Sequence, residues 1–198
     1  AVYRSLIEAE KIIRATEIFA PSIIGVDFDA DSATEYLYQG SELNAYLHAR
    51  GGALFELDFL PASWNYLDTL VAREGCRGDA ARPPRHAFID HFLDEDASLE
   101  AFAAGGDRTA RFGRTLWETA ELNRTLPEVL LRTAGGVGAR GAAVRIEKRF
   151  VFRPRSIDVY YRVRPGDGAG LRTRLGVEIN VSLASRASAD GRLFLVGE

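Results

Sequence analysis

The chain contains 198 residues, 46% of them hydrophobic, so it can bury a sizeable core. Its net charge of −3 gives no general electrostatic support for a nucleic-acid partner. The single cysteine, Cys76, excludes an internal disulfide and favours a reducing, cytoplasmic compartment. No apolar run reaches the ~20 residues that a membrane-spanning helix needs, so we expect no membrane partner.

The first twenty residues predict a helix. Over residues 3–17, mostly apolar positions recur at spacings of three and four, and Pro21 ends the pattern. Arg4, Lys11 and Arg14 are predicted on the opposite face of this helix. No capping residue precedes the pattern, which favours a helix that begins within a longer protein.

After Pro21 the periodicity changes to two, which is typical of strands with one buried face. In the last of four short runs, Phe55, Leu57 and Phe59 are predicted to share a face. Because turn-forming residues separate the runs, an antiparallel meander is favoured over alternating strands and helices. The predicted strands are residues 23–28, 34–38, 43–48 and 53–59.

The second half of the chain alternates more regularly. Each of its three longest runs has an apolar and a polar face, although Lys148 interrupts one apolar face. We therefore predict a mainly β fold, an antiparallel β-sandwich over residues 21–198 that follows a helix over residues 1–20. The further predicted elements are strands at 86–93, 144–153, 157–164 and 174–183 and a short helix at 97–104.

No motif for nucleotide binding, zinc proteolysis or serine hydrolysis is present. The three histidines and Cys76 lack the spacing of a zinc site, so we expect no metal and no cofactor. Asp27, Asp29 and Asp31 alternate like the first half of a calcium loop, but the glycine and the final glutamate of an EF-hand are missing. A solvated turn is the preferred interpretation of these aspartates.

Several side chains are candidates for contact with carbohydrate. Trp64, Tyr66 and Trp117 offer flat apolar faces that suit a sugar ring, with core packing as the alternative for each. Asp90 and Glu178 lie on polar strand faces, and paired carboxylates suit glycoside chemistry. Ion pairs with the many arginines are the preferred interpretation of these two carboxylates.

Four blocks of sequence, in the same order, resemble the C-terminal region of the α-amylase and 4-α-glucanotransferase branch of glycoside hydrolase family 57. Together they extend over nearly the whole chain. The blocks are YRSLIEAE at 3–10, GGALFELDF with WNYLDTL at 51–70, RHAFIDHFL at 85–93 and GVEINVSL at 176–183.

The resemblance implies a β-sandwich of the galactose-mutarotase-like supersandwich type. It also implies that residues 1–20 are the last helix of a preceding helical domain, and that an N-terminal catalytic barrel acts on α-1,4-glucans with retention. No part of this chain resembles that barrel, so we expect a non-catalytic accessory domain with no catalytic residue. Its partners would be the barrel of the same polypeptide and α-glucan. The candidate carbohydrate contacts are Trp64, Tyr66, Asp90, His91 and Glu178.

The sequence departs from the family pattern in one interval. Only residues 71–84 separate the second and third blocks, where the family has a longer stretch, and the chain contains no methionine. We therefore expect segments of the natural domain to be missing from this sequence.

Two other functions remain open. One is a free-standing sugar-binding or mutarotase-like enzyme, which would need His91 as an acid and Glu178 as a base across a concave sheet face. The other is a purely structural scaffold, which would leave an exposed apolar patch where the barrel docks.

Overall fold

Two antiparallel sheets form most of the described structure. The computed structural model describes residues 2–16, 18–68, 86–103, 112–138, 141–166 and 172–182. Cys76 lies outside these residues. Two helices accompany the sheets, α1 (Val2–Ala15) and the short α2 (Leu99–Ala103).

The large sheet has the order β1-β2-β3-β4-β6-β11, and β5 pairs with β4 at its side. The last strand of this sheet, β11, follows all strands of the second sheet in the sequence. The strands are β1 (Ser22–Val26), β2 (Glu35–Gln39), β3 (Leu43–His48), β4 (Ala53–Phe59), β5 (Trp64–Asn65), β6 (Ala87–Leu93) and β11 (Arg174–Ile179).

The small sheet has the order β10-β9-β8-β7. Its strands are β7 (Glu118–Asn123), β8 (Glu128–Val137), β9 (Ala142–Phe152) and β10 (Ile157–Pro165). All pairings in both sheets are antiparallel. The predicted antiparallel β-sandwich with a short N-terminal helix is therefore confirmed.

The inner faces of the two sheets build one apolar core. Tyr38 of β2 stacks on Phe152 of β9 with ring centroids 5.0 Å apart, and Phe88 of β6 meets Phe150 edge-on at 5.8 Å. These aromatic pairs join the sheets directly and contribute beyond their buried area. Trp117 also lies in this core, which confirms core packing, the alternative to sugar stacking for this residue.

One predicted face is wrong because β4 contains an irregularity. The pairing register of β3 and β4 shifts between Tyr46 and Leu47, so no residue of β3 pairs with Phe55. The extra residue reverses the alternation, as a β-bulge does. As a result Leu54 and Leu57 both pack against the core, and Phe55 instead contacts the rings of Tyr46 and His48.

The turn between β3 and β4 connects the large sheet to the segment that leads into the small one. Gly51 N donates to Thr115 O at 2.8 Å, and Trp117 N donates to Ala49 O at 2.9 Å. Gly52 adopts φ +53, and a Cβ on it would lie 3.1 Å from the Trp117 ring. Because this backbone is left-handed and the ring is so close, the turn requires glycine here.

Neither helix of the described residues is long and apolar enough to cross a membrane.

Candidate functional site

His91 and Glu178 are brought together by the pairing of β6 with β11. His91 lies opposite Gly176, and its Nε2 is 2.9 Å from Glu178 Oε2. The imidazole is buried, and its ring meets Phe102 of α2 edge-on at 4.9 Å. A general acid and a general base for sugar chemistry would need to face a substrate. His91 and Glu178 instead form a hydrogen bond with each other. The arrangement therefore fits a structural pair better than a mutarotase-like one.

Asp90 lies on the other face of β6, because successive side chains of a strand point to opposite sides. Its carboxylate is buried between the sheets, where Oδ2 is 2.6 Å from Nζ of Lys148 on β9. Asp90 thus does not share a surface with His91. The sequence predicts an ion pair between Asp90 and an arginine. In the structure the cation is Lys148, the only lysine on the inner faces of the sheets.

Lys148 is completely enclosed, and its ammonium group contacts two carbonyl oxygens and one carboxylate. Nζ donates to Gly52 O at 2.8 Å and to Phe88 O at 2.7 Å, and the third partner is Asp90. Phe88 adopts φ +67, an uncommon backbone conformation for a bulky residue. The ring of Trp117 lies 4.7 Å from Nζ and adds a cation–π contact.

Burial dominates the electrostatics of this pair. It raises the pKa of Asp90 and lowers the pKa of Lys148, and in both cases the attraction of the partner opposes the shift. Burial and then the charge of Asp90 also raise the pKa of Tyr161, whose ring lies beside Lys148. The pair links the two sheets at their centre. The sequence indicates this pair through Lys148, which is the one charged residue on the otherwise apolar face of its strand.

Trp64 and Tyr66 lie beside the end of the described part of the β11 region. The indole Nε1 of Trp64 donates to Ser182 O at 2.9 Å, and Ser182 N donates to Tyr66 O at 2.7 Å. Both aromatic side chains are half-buried, so part of each remains open to solvent. The five predicted contacts thus divide into three places: Trp64 with Tyr66, His91 with Glu178, and Asp90 inside the sandwich.

A partly buried cluster of three acidic side chains, which the sequence did not predict, lies on the outer face of the large sheet. Burial and then the charge of Glu56 raise the pKa of Asp58 to about 8. Burial also raises the pKa of Glu56 itself. Glu10 of α1 adds a third carboxylate, and its Oε2 accepts from Nδ2 of Asn44 at 2.9 Å. In the sequence, the signal was two acids two positions apart, Glu56 and Asp58, on an interior strand.

Helix α1 packs on this outer face through polar side chains. Lys11 donates to Ser63 Oγ at 3.1 Å, and Arg14 donates to Gly40 O at 2.5 Å and to Asn44 Oδ1 at 2.8 Å. This corrects the predicted placement of Lys11 and Arg14 away from the domain. Ile7 is the buried apolar residue of the helix.

The opposite face of α1 is apolar and exposed to solvent. Val2 is 72% exposed, Leu6 60% and Ile13 61%. The spacings of four and seven place these residues on one stripe of the helix. A surface helix normally has the reverse arrangement, so this stripe is an apolar surface with no partner among the described residues.

Arginines on the outer face of the small sheet form ion pairs, as expected for this arginine-rich chain. A shallow depression of about 340 Å³ contains Arg132 and Arg162, which both contact the carboxylate of Glu147, at 3.0 and 3.3 Å. Arg149 pairs with Glu128 at 2.5 Å. These cations are therefore engaged on their own sheet.

Comparison with known proteins identifies a matching family and a solved structure of similar fold. The sequence model of the family described as "Alpha-amylase/4-alpha-glucanotransferase, C-terminal" matches residues 27–74 and 81–198. A search of curated proteins finds no match. The crystal structure of 4-alpha-glucanotransferase from Thermococcus litoralis is similar in fold, with a TM-score of 0.69 and 23% identity. That similarity covers 91% of this chain and 29% of the other, so the chain spans less than a third of that relative.

Proposed function

Because this chain belongs to the α-amylase/4-α-glucanotransferase C-terminal family, we propose that it is the accessory domain of a glucan-acting enzyme. Its role is to support a catalytic domain of the same polypeptide through helix α1. The parent enzyme would be a family 57 glycoside hydrolase or glucanotransferase of the cytoplasm, and residues 1–20 would join the two domains. The resemblance of the four sequence blocks supports this wider assignment.

The observation that carries the proposal is the orientation of α1. Its charged side chains bind the sheet while Val2, Leu6 and Ile13 lie in water. Exposed apolar side chains in a contiguous stripe are unfavourable unless another surface covers them. The similar glucanotransferase chain is more than three times as long as the matched region, which supports a further domain as the occupant.

Strand β1 presents further apolar side chains on the same side of the large sheet. Ile24 of β1 lies in one cross-strand row with Leu37 and Tyr46, on the outer face that α1 also occupies. Ile24 and Val26 are both exposed. Helix and strand thus present apolar groups on one side of the large sheet, which is suitable for docking a second domain.

Charges placed in the α1 stripe should weaken domain docking without unfolding this domain. We expect the double variant Leu6→Glu/Ile13→Glu, made in the complete natural reading frame, to lower the thermal midpoint of glucan processing by several degrees. The reason is that desolvating each new carboxylate costs about 1–3 kcal/mol. The measurement is residual activity after heating, with the melting temperature of the isolated 198-residue chain as comparison.

The matched control is Ala15→Glu, on an exposed helix position away from the stripe. This variant should change neither the residual activity after heating nor the melting temperature of the isolated chain. If the double variant destabilises the isolated chain equally, the stripe belongs to the fold of this domain and the proposal fails. A reading frame that encodes no further domain would also contradict it.

Carbohydrate contact is a second proposed role, supported by the exposed parts of Trp64 and Tyr66. Trp64 is held by its bond to Ser182, which leaves its ring preorganised for stacking on a sugar. Asp90 and His91 are excluded by their burial, whereas Glu178 is partly exposed and would contribute to the contact. The bound sugar would be α-glucan, the substrate class of the proposed parent.

Removal of the Trp64 ring should weaken retention on an amylose affinity gel. For Trp64→Ala we expect a loss of about 2–10-fold, corresponding to the ~0.5–1.5 kcal/mol of an aromatic contact. Tyr160→Ala, an exposed aromatic residue of the small sheet, is the control and should change nothing. Equal retention of both variants and the parent chain would assign Trp64 to packing alone. The isolated chain should release no reducing sugar from amylose in the same assay.

A further inference from the structure

Four potential ligand groups converge where the loop between β1 and β2 meets the end of β3. Asp29, Asp31, Glu35 and His48 each direct one ligand atom to this place, and these atoms all lie within 4.8 Å of one another. Two atoms bound to one Ca²⁺ ion at about 2.4 Å are at most about 4.8 Å apart. The three carboxylates among them therefore have the mutual spacing of a single coordination shell.

Glu35 supplies the observation that distinguishes this cluster from ordinary surface acids. Its side chain is only 1% exposed. Oε2 accepts from Phe28 N at 2.6 Å, but the buried Oε1 makes no hydrogen bond. The nearest recorded donor atom is Nε2 of His48, at 3.3 Å. A buried carboxylate oxygen without a hydrogen bond is costly, and a cation would compensate it.

The ring of His48 indicates which kind of cation fits. Its Nδ1 accepts a hydrogen bond from Arg50 N at 3.0 Å, so the proton of the neutral ring is on Nε2, the atom that faces the carboxylates. Nε2–H is a donor and cannot bind a metal ion. The ligands are therefore carboxylate oxygens, which select a hard cation such as Ca²⁺ over zinc.

The loop backbone is compatible with such an ion. Asp27 Oδ2 accepts from Ser32 N at 3.1 Å, and Asp31 Oδ1 accepts from Ala33 N at 2.8 Å. Ser32 adopts φ +68 at the position where a calcium loop has its glycine. The missing glycine that argued for a solvated turn is thus replaced by a serine in the same backbone conformation. Glu35, four residues after Asp31, takes the part of the missing final glutamate.

We propose that Asp29, Asp31 and Glu35 bind a Ca²⁺ ion that fixes the loop between β1 and β2 to the outer face of the large sheet. Arg50 Nε donates to Asp31 Oδ2 at 3.1 Å and partly balances the negative charge of the three carboxylates. The ion would displace this exposed arginine. The site is independent of the proposed glucan-related function.

The test is a calorimetric titration of the EGTA-treated, desalted full chain with CaCl₂, together with thermal melting. We expect one Ca²⁺ per chain. We also expect the melting temperature to rise by about 5–10 °C at a free Ca²⁺ concentration about 100 times Kd. Asp29→Asn and Glu35→Gln should each weaken the affinity at least tenfold. Asp29 is exposed, so its variant remains informative even if the Glu35 variant folds poorly.

Two comparisons complete the design. Glu42→Gln, which removes a surface carboxylate paired with Arg155, should bind Ca²⁺ like the parent chain. His48→Gln should retain binding within a few-fold, because His48 is not a ligand. No heat and no change in melting temperature at 10 mM Ca²⁺ would overturn the proposal. Equal Ca²⁺ binding by all variants would also overturn it. Loss of Ca²⁺ binding in the His48 variant alone would contradict it as well, because His48 is not one of the proposed ligands.

Discussion

Replacement of Lys148 by methionine should lower the free energy of unfolding by about 3–5 kcal/mol. The substitution removes the cation but leaves the carboxylate of Asp90 buried, together with the carbonyls of Gly52 and Phe88 that Nζ now binds. An uncompensated buried charge is among the most damaging changes a core can undergo. Urea unfolding followed by circular dichroism measures the effect.

The chain contains its own control, because it has one other lysine. Lys11 is partly exposed and bonds to Ser63 and Glu8, so Lys11→Met should cost no more than about 1 kcal/mol. Adding Asp90→Asn to the Lys148 variant removes the stranded charge and should recover at least about 1 kcal/mol. If Lys148→Met and Lys11→Met are equally mild, Lys148 is not the central link between the sheets.

Replacement of Asp58 by asparagine should stabilise the protein at alkaline pH, by about 1–2 kcal/mol at pH 9. The folded protein holds a proton on Asp58 up to about pH 8, whereas the unfolded chain loses it near the ordinary value of 3.8. Between these values the folded state binds more protons, so this group makes the protein less stable as pH rises. Asparagine mimics the protonated acid and can still donate to Glu56, so the variant loses this pH dependence.

Thermal or urea unfolding between pH 5 and pH 9 tests this expectation. The parent chain should lose stability across the interval, and the difference from the variant should grow toward pH 9. Asp158→Asn is the comparison, since Asp158 is a surface carboxylate paired with Arg153. If Asp58→Asn and Asp158→Asn have parallel pH profiles, Asp58 is not protonated in the folded protein near neutral pH.

The strands could be predicted from the sequence because one side of each sheet is buried. The alternation of apolar and polar residues therefore predicts where the strands lie. The predicted ranges 43–48 and 53–59 coincide with β3 and β4. The face of Phe55 could not be predicted, because an added residue in one strand has no signature in a period of two. The resemblance to the C-terminal region of the amylase and glucanotransferase branch is confirmed by the family match.

The candidate site was less predictable, because it depends on which strands become neighbours. The sequence could not place Lys148 against Asp90, which are 58 residues apart on different sheets. It did contain the means to separate Asp90 from His91, since adjacent residues of a strand face opposite ways. It could not show that α1 binds the sheet through Lys11 and Arg14, because helical periodicity does not state which face meets the domain.

The entry of β11 at the edge of the large sheet has a consequence for how the chain folds. Its pairing with β6 joins residues as far apart as Ala87 and Ile179, 92 positions along the chain. Closing so long a loop delays this pairing relative to the local hairpins of both sheets. During synthesis the backbone edge of β6 therefore remains open until β7 to β10 have been made. This open edge is the surface at which a newly made chain is most vulnerable to pairing with another copy.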